Sequence, residues 1–199
     1  MPRGFMPTRN EKPPLTRLGR RPAFTNKVWC GYFDHIVGNN GTEVEDYLVL
    51  VPRGDHPDML CGVSVLPVLD GRVALMRVFR LGSDRWGWET PRGFVDAGEP
   101  PETAAHRELA EETGLACPAG SLVSLGFYTP ENSTIQARGA LFAAEGCVRV
   151  QDRDMAEIGL GALRLFTLEE ALALADSSEI EDSSTALMLY RYARRKSYT

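Results

Sequence analysis

Four glutamates and one arginine, Glu99, Arg107, Glu108, Glu111 and Glu112, sit within a stretch whose chemistry can be read directly. From Glu102 onward the residues are good helix formers. Pro100 and Pro101 suit a helix entrance, where a missing N–H matters little, and Gly114 suits its end. On that helix Glu108, Glu111 and Glu112 stand at i, i+3 and i+4 and project from one face. Ala105 and Leu109 supply an apolar stripe for packing against a sheet. Three carboxylates this close repel one another unless a hard cation sits between them. Mg²⁺ and Mn²⁺ favour oxygen ligands and also bind phosphate oxygens. Arg107 can hold a neighbouring glutamate through paired hydrogen bonds. Three glutamates on an arbitrary helix are most often a solvated face. Here a glycine-bearing loop, Glu99 and Arg107 occur in register with them, which changes the reading.

The full pattern is Gly93, five residues, Glu99, seven residues, then Arg107-Glu108-Leu109-x-Glu111-Glu112-x-Gly114-Leu115. It fills every fixed position of the Nudix box without a gap, and the chain is identified on that ground as resembling the Nudix hydrolase superfamily. The flanks narrow the resemblance. Met76-Arg77-Val78-Phe79-Arg80, Trp88-Glu89-Thr90-Pro91-Arg92-Gly93, Pro130 beyond the box, and the run Ser178 to Thr185 with its Glu-Ile-x-Asp pattern are similar to the ADP-ribose pyrophosphatase and nucleoside-diphosphate-sugar hydrolase branch.

That resemblance implies a mixed α/β fold: a Nudix α/β/α sandwich with a mixed sheet, plus a small N-terminal antiparallel β element. It implies metal-dependent hydrolysis of a diphosphate linkage, with Mg²⁺ or Mn²⁺ as cofactor and a nucleoside diphosphate-linked small molecule as partner. Glu108 and Glu112 are then the principal metal ligands, Glu111 a shared ligand or base, and Glu99 an outer or orienting group. The carbonyl of Arg92 is a further ligand by resemblance alone. Arg80 is expected to contact diphosphate or sugar, and Glu89 to pair with Arg80 or bind hydroxyls. Trp29 is expected to stack on a base, as aromatic residues of the N-terminal sheet do in the resembling enzymes. The loop after the box usually carries a glutamate that activates water. Ungapped placement puts Arg138 there, with Glu131 and Gln136 nearby, so Glu111 becomes the expected base and Arg138 a phosphate-binding group. Two other readings share the box: a non-catalytic module that binds nucleotide sugars, and a hydrolase of RNA caps or dinucleotides.

The elements that must position these groups follow from the rest of the chain. At 199 residues it can bury a substantial core as one domain with a small extension. It contains no run of about 18 apolar residues, so a membrane span is not expected. Cys30, Cys61, Cys117 and Cys147 are scattered without a C-x-x-C pair, which argues against a zinc site or disulfide framework and for a reduced, cytoplasmic setting. The net charge of −5 hides an asymmetry: residues 1–27 carry seven basic residues against only Glu11. Residues 1–24, rich in proline and arginine, read as a flexible basic arm. Residues 25–58 read as a β element that dimerises, because a hairpin of this size cannot bury its own apolar face, and 59–199 as the Nudix domain. The acidic remainder disfavours nucleic acid as a partner.

Strand-favouring composition predicts strands over 27–36, 44–52, 60–69, 73–78, 122–129, 139–144 and 163–166, with an edge at 148–150. Asp70-Gly71 predicts a tight hairpin turn. Leu81 to Trp88 reads as a loop, followed by a short strand into Pro91. Helices are expected from the box, from 168 to 175 behind a Thr167 cap, and from 183 to 196.

Overall fold

The computed structural model describes residues 12–54, 56–153 and 158–198. The chain divides into two compact units, Met1–Arg53 with Ser133–Gln136, and Gly54–Asn132 with Ala137–Thr199.

The first unit is a three-stranded antiparallel sheet in the order β1 (Leu15–Thr25), β2 (Trp29–Gly38), β3 (Glu43–Pro52). The β2–β3 hairpin follows the expected turn at Gly38–Gly41. Strand β1 corrects the expected arm over its second half, while residues 1–11 of that arm lie outside the described residues. The arginines that look like a solvated tail serve as cross-strand partners. Arg20 forks onto Asp34 at 2.6 and 2.7 Å. The Arg20 and Arg21 guanidinium groups lie over the rings of Tyr32 and Phe33 at 4.7 and 4.4 Å. Pro22 is tolerated because β1 is an edge strand and the register shifts between Pro22 and Phe24. Segment 133–136 joins this unit: Leu50 N–H donates to the Thr134 carbonyl at 2.8 Å, and Gln136 N–H donates to that of Leu50 at 2.9 Å. The unit therefore ends at Arg53 and gains a loop segment, where the sequence suggested a boundary after residue 58.

The second unit contains β4 (Leu60–Leu69), β5 (Arg72–Arg80), β6 (Arg85–Glu89), β7 (Arg92–Phe94), α1 (Pro101–Thr113), β8 (Leu115–Ala116), β9 (Leu122–Tyr128), β10 (Arg138–Ala144), β11 (Val148–Arg149), β12 (Leu160–Phe166), α2 (Leu168–Asp176) and α3 (Ser183–Lys196). The main sheet runs β12-β5-β4-β10-β9, with β6 on β5 and β7 on β4. Only the β10–β4 pairing among these is parallel, so the sheet is mixed. The β4–β5 hairpin turns through Asp70 and Gly71 at φ 50° and 73°, as its sequence predicts.

Strand alternation sends successive side chains of β4 to opposite faces. Val63 and Val65 pack with Ala104, Ala105 and Leu109 of α1. Leu66 and Val68 pack with Met188, Leu189 and Tyr192 of α3. The result is an α/β/α sandwich, as expected. No described helix is long and apolar enough to cross a membrane.

Candidate active site

Helix α1 starts on Pro101, behind Pro100, and stops where Gly114 takes φ 69°. That glycine is required twice over, since a Cβ there would also overlap the Gln151 carbonyl. The stripe of Ala104, Ala105 and Leu109 fixes the helix on the sheet and draws Glu108 and Glu112 inward with it; both are buried. Glu111, one step around, keeps half of its side chain exposed. Gly93 in β7 is matched to this packing, because a Cβ at that position would occupy the space of the Glu108 carboxylate.

Arg107 is the hub. Its Nε and Nη2 donate to the two oxygens of Glu99 at 3.2 and 3.0 Å, and its Nη1 donates to Glu108 Oε1 at 2.6 Å. Nη1 also reaches Glu111 Oε2 at 3.4 Å, and Nη2 reaches the Phe94 carbonyl at 2.9 Å. Glu99 Oε2 additionally accepts from Asp96 N–H at 3.0 Å. The hydrogen bonds from Arg107, then that from Asp96, hold the Glu99 carboxyl below its usual range. The Arg107 guanidinium is correspondingly raised, first by Glu99 and then by Glu108.

Among the described residues, no three acidic, histidine or cysteine side chains converge tightly enough to form a ready-made metal cage. Arg107 stands among the glutamates, and the Arg92 N–H donates to Glu112 Oε2 at 2.9 Å. The donor set still suits a hard divalent cation. Glu99, Glu108 and Glu111 surround the single guanidinium of Arg107, with Glu112 on the same helix, and carboxylate oxygens are the donors that Mg²⁺ and Mn²⁺ favour.

Beside the box lies a cavity of about 480 Å³, lined among others by Arg77, Arg80, Trp86, Trp88, Glu89 and Arg92. The expected loop over residues 81–88 is corrected here. Arg85–Glu89 is strand β6, paired residue for residue with β5 from Arg80↔Arg85 to Met76↔Glu89. Its glycine and charged residues disguised it, and its burial changes along its length, from exposed Arg85 and Trp86 to buried Glu89. Trp88 meets Phe166 edge-on with centroids 5.0 Å apart, while Trp86, edge-on to Phe79 at 5.6 Å, is 49% exposed. Glu89 is buried, accepts from Arg80 Nη2 at 2.7 Å and forms an ion pair with Arg92 Nη2 at 2.8 Å. Arg92 Nη1 donates to Asp182 Oδ1 at 2.6 Å. Burial works against ionisation of Asp182, but the charge of Arg92 and hydrogen bonds from Ser184 and Thr185 outweigh it and lower its pKa.

The predicted residues thus fall into distinct places. Glu99, Arg107, Glu108 and Glu111 gather around one guanidinium; Glu112 shares their helix and is tied to Arg92. Arg80, Glu89 and Arg92 gather in the pocket. Arg138 opens β10 with its guanidinium over the Phe127 ring at 4.7 Å. Its neighbour Gly139 pairs with Gly62, the partner of Phe94, but Arg138 does not line the pocket. Trp29 opens β2 of the first unit and is half-buried there. Asp182 received no role from sequence. An aspartate ahead of a helix reads as a cap, and that reading conceals its second partner. Arg92 was singled out for its carbonyl alone, while its side chain joins two elements of the site.

Residues 60–187 match the NUDIX domain family. Over 170 residues the chain is 31% identical to an ADP-ribose pyrophosphatase of Bacillus subtilis (strain 168), covering 85% of this chain and 87% of that protein. It is 29% identical over 160 residues to a CMP-5'-(N-acetyl-N-hydroxy-3-aminopropyl)phosphonate hydrolase of Streptomyces rubellomurinus (strain ATCC 31215), covering 75% and 68%. A crystal structure of an ADP compounds hydrolase shares the fold with a TM-score of 0.74 at 18% identity, covering 94% of this chain and 97% of that one.

Proposed function

We propose, from the premise that this chain belongs to the NUDIX domain family, that it hydrolyses the diphosphate linkage of ADP-ribose or a related sugar nucleotide. The products are a nucleoside monophosphate and a phosphorylated partner. The observation that carries this reading is the excess of carboxylates around Arg107, beside a pocket that offers arginines and tryptophans, with Glu89, Glu179, Glu181 and Asp182 also in its wall. Such a pair of features suits a polyanion with an apolar ring. The similarity to the Bacillus pyrophosphatase over most of both chains supports the substrate class.

Glu108 and Glu112 are the residues to hold a divalent cation, with Glu111, Glu99 and the Arg92 carbonyl as further oxygen donors. When bound, Mg²⁺ or Mn²⁺ neutralises phosphate oxygens and lowers the pKa of water. Arg107 keeps Glu99 and Glu108 in place. Glu111, exposed where Glu108 and Glu112 are buried, accepts the proton of the attacking water. Arg80 and Glu89 bind the moiety beyond the diphosphate, and Arg138 binds phosphate. Trp29 stacks on a base, a role that rests on resemblance.

A panel of sugar nucleotides and dinucleotides, assayed with Mg²⁺ or Mn²⁺ and analysed for products, tests the reading. Cleavage within the diphosphate of ADP-ribose is expected. Hydrolysis confined to capped RNA or dinucleotides, or ligand binding without turnover, would overturn it. We also infer a homodimer through the first unit, whose Leu15, Leu18, Phe24, Val44 and Leu48 are exposed. Light scattering at tens of micromolar should return twice the monomer mass. The free cysteines suit a cytoplasmic setting.

A further inference from the structure

The segment Glu89 to Arg92 leads from the pocket into the box, and it is fastened from the far end of the chain. Thr90 is buried, and its N–H donates to Thr185 Oγ1 at 3.0 Å. The Thr185 hydroxyl donates to Asp182 Oδ2 at 2.8 Å, since an ionised carboxylate only accepts. The Thr90 hydroxyl, 3.2 Å from Thr185 Oγ1, must therefore be the donor in that pair. Asp182 Oδ2 also accepts from Thr185 N–H at 2.9 Å and Ser184 Oγ at 2.6 Å, which makes Asp182 the N-cap of α3. A cap needs only one acceptor oxygen. The other, Oδ1, receives Arg92 Nη1 at 2.6 Å from 90 residues away.

Arg92 is thereby held on both sides. Its guanidinium spans Asp182 and Glu89, and its backbone N–H donates to Glu112 Oε2. β7 is only three residues long, and its pairing with β4 ends at Ser64↔Arg92. Beyond it the sheet holds only the other edge of the same planar peptide group, where Val65 N–H donates to the Pro91 carbonyl at 2.9 Å, and the Arg92 side chain that follows is held by Asp182 and Glu89.

We propose that Asp182 and Arg92 are positioning residues for the reaction. Their ion pair at the start of α3 acts together with the sheet bond to the Pro91 carbonyl to keep the Arg92 N–H, and with it the Glu112 carboxylate, in register with Glu89 in the pocket. This rests on the hydrolase reading for its effect on turnover, but its effect on geometry stands apart from that reading. A residue serving only as a cap could be replaced by asparagine at little cost, because asparagine caps as well as aspartate. The ion pair could not. Lysine at position 92 would not restore the bridge, since it lacks the planar fork that reaches two carboxylates at once.

The test uses Asp182→Asn, Arg92→Lys and the double variant of the full chain. In Asp182→Asn the amide exchange of α3, reported by Ala186, should stay as in the wild type, while the Arg92 amide exchanges at least tenfold faster. Direct Mn²⁺ binding, followed by electron paramagnetic resonance, should weaken several-fold. With ADP-ribose, kcat should fall at least tenfold with a smaller change in KM, and the double variant should match the worse single variant. Wild-type Arg92 exchange and Mn²⁺ affinity in Asp182→Asn would overturn the proposal, as would effects of the two substitutions that simply multiply. If the wild type cleaves no diphosphate, the hydrolase reading fails, and the exchange and Mn²⁺ measurements still decide the positioning role.

Discussion

Arg107 and Arg92 each hold carboxylates in place, and they are built in different ways. Arg107 takes its carboxylate partners from residues 99–111, all from one helix and the loop before it. Arg92 takes Glu89 from its own strand connection and Asp182 from the start of the last helix. The first cluster is exposed to one side and carries excess negative charge. The second is nearly balanced, with Arg80 and Arg92 against Glu89 and Asp182. On the proposed reading, the difference separates a cluster that gathers a cation from one that fixes the shape of the pocket. A charge excess calls for an external counter-ion, whereas a balanced buried network holds a shape.

The largest test of that division is Glu112→Gln. The fold should survive, and kcat at saturating Mg²⁺ should drop by at least about 10², since a catalytic metal supplies several kcal/mol. Unchanged kcat would remove the box helix from the chemistry. Next comes the choice of base. Glu111→Gln should cost about 10²–10⁴ in kcat, the usual worth of general-base assistance. Glu131→Gln and Gln136→Ala should cost far less; a loss of turnover in Glu131→Gln with intact binding would move the base to the loop.

A packing change sharpens the comparison from the structural side. Gly93→Ala would drive a methyl group into the Glu108 carboxylate. We expect a loss of about 1–3 kcal/mol in stability by thermal unfolding, the usual cost of overpacking, together with reduced turnover. On the pocket side, Arg80→Ala should raise KM more than it lowers kcat, because it removes a ligand contact and leaves the box helix untouched. An effect confined to kcat would place Arg80 with the chemistry.

The smallest effect belongs to a third arginine, outside both clusters. Arg20 and Asp34 pair across β1 and β2, and Asp34 is buried. The hydrogen bonds from Arg20 hold the Asp34 carboxyl below its usual range, against the opposing push of burial. The folded state therefore favours the ionised form. Its contribution is present above the ordinary aspartate range and is lost as pH falls through the lowered value. Asp34→Asn should flatten the acid limb of a stability–pH curve, and a curve of unchanged slope would show that the pair contributes nothing.

The helix of the box was legible because its signals are local: a proline entry, a glycine stop and carboxylates at helical spacing. The hairpin at Asp70-Gly71 and the Thr167 cap were legible for the same reason, and the structure completes that cap as a capping box with Glu170, with reciprocal bonds at 3.1 and 2.7 Å. Strand β1 was not, because its arginines look solvated until Asp34, Tyr32 and Phe33 face them. Strand β6 was not, because its pairing with β5, not its composition, makes it a strand.

The sequence by itself determined the family, the acidic face of α1 and the cation chemistry that face suits, since residues a few positions apart meet wherever the helix forms. Only the tertiary structure decided that Arg107 ties together three carboxylates, that Glu111 remains exposed while Glu108 and Glu112 are buried, and that Asp182 reaches Arg92. Those facts depend on which face of α1 meets the sheet and on where α3 begins. Both are settled by packing between elements far apart in the chain.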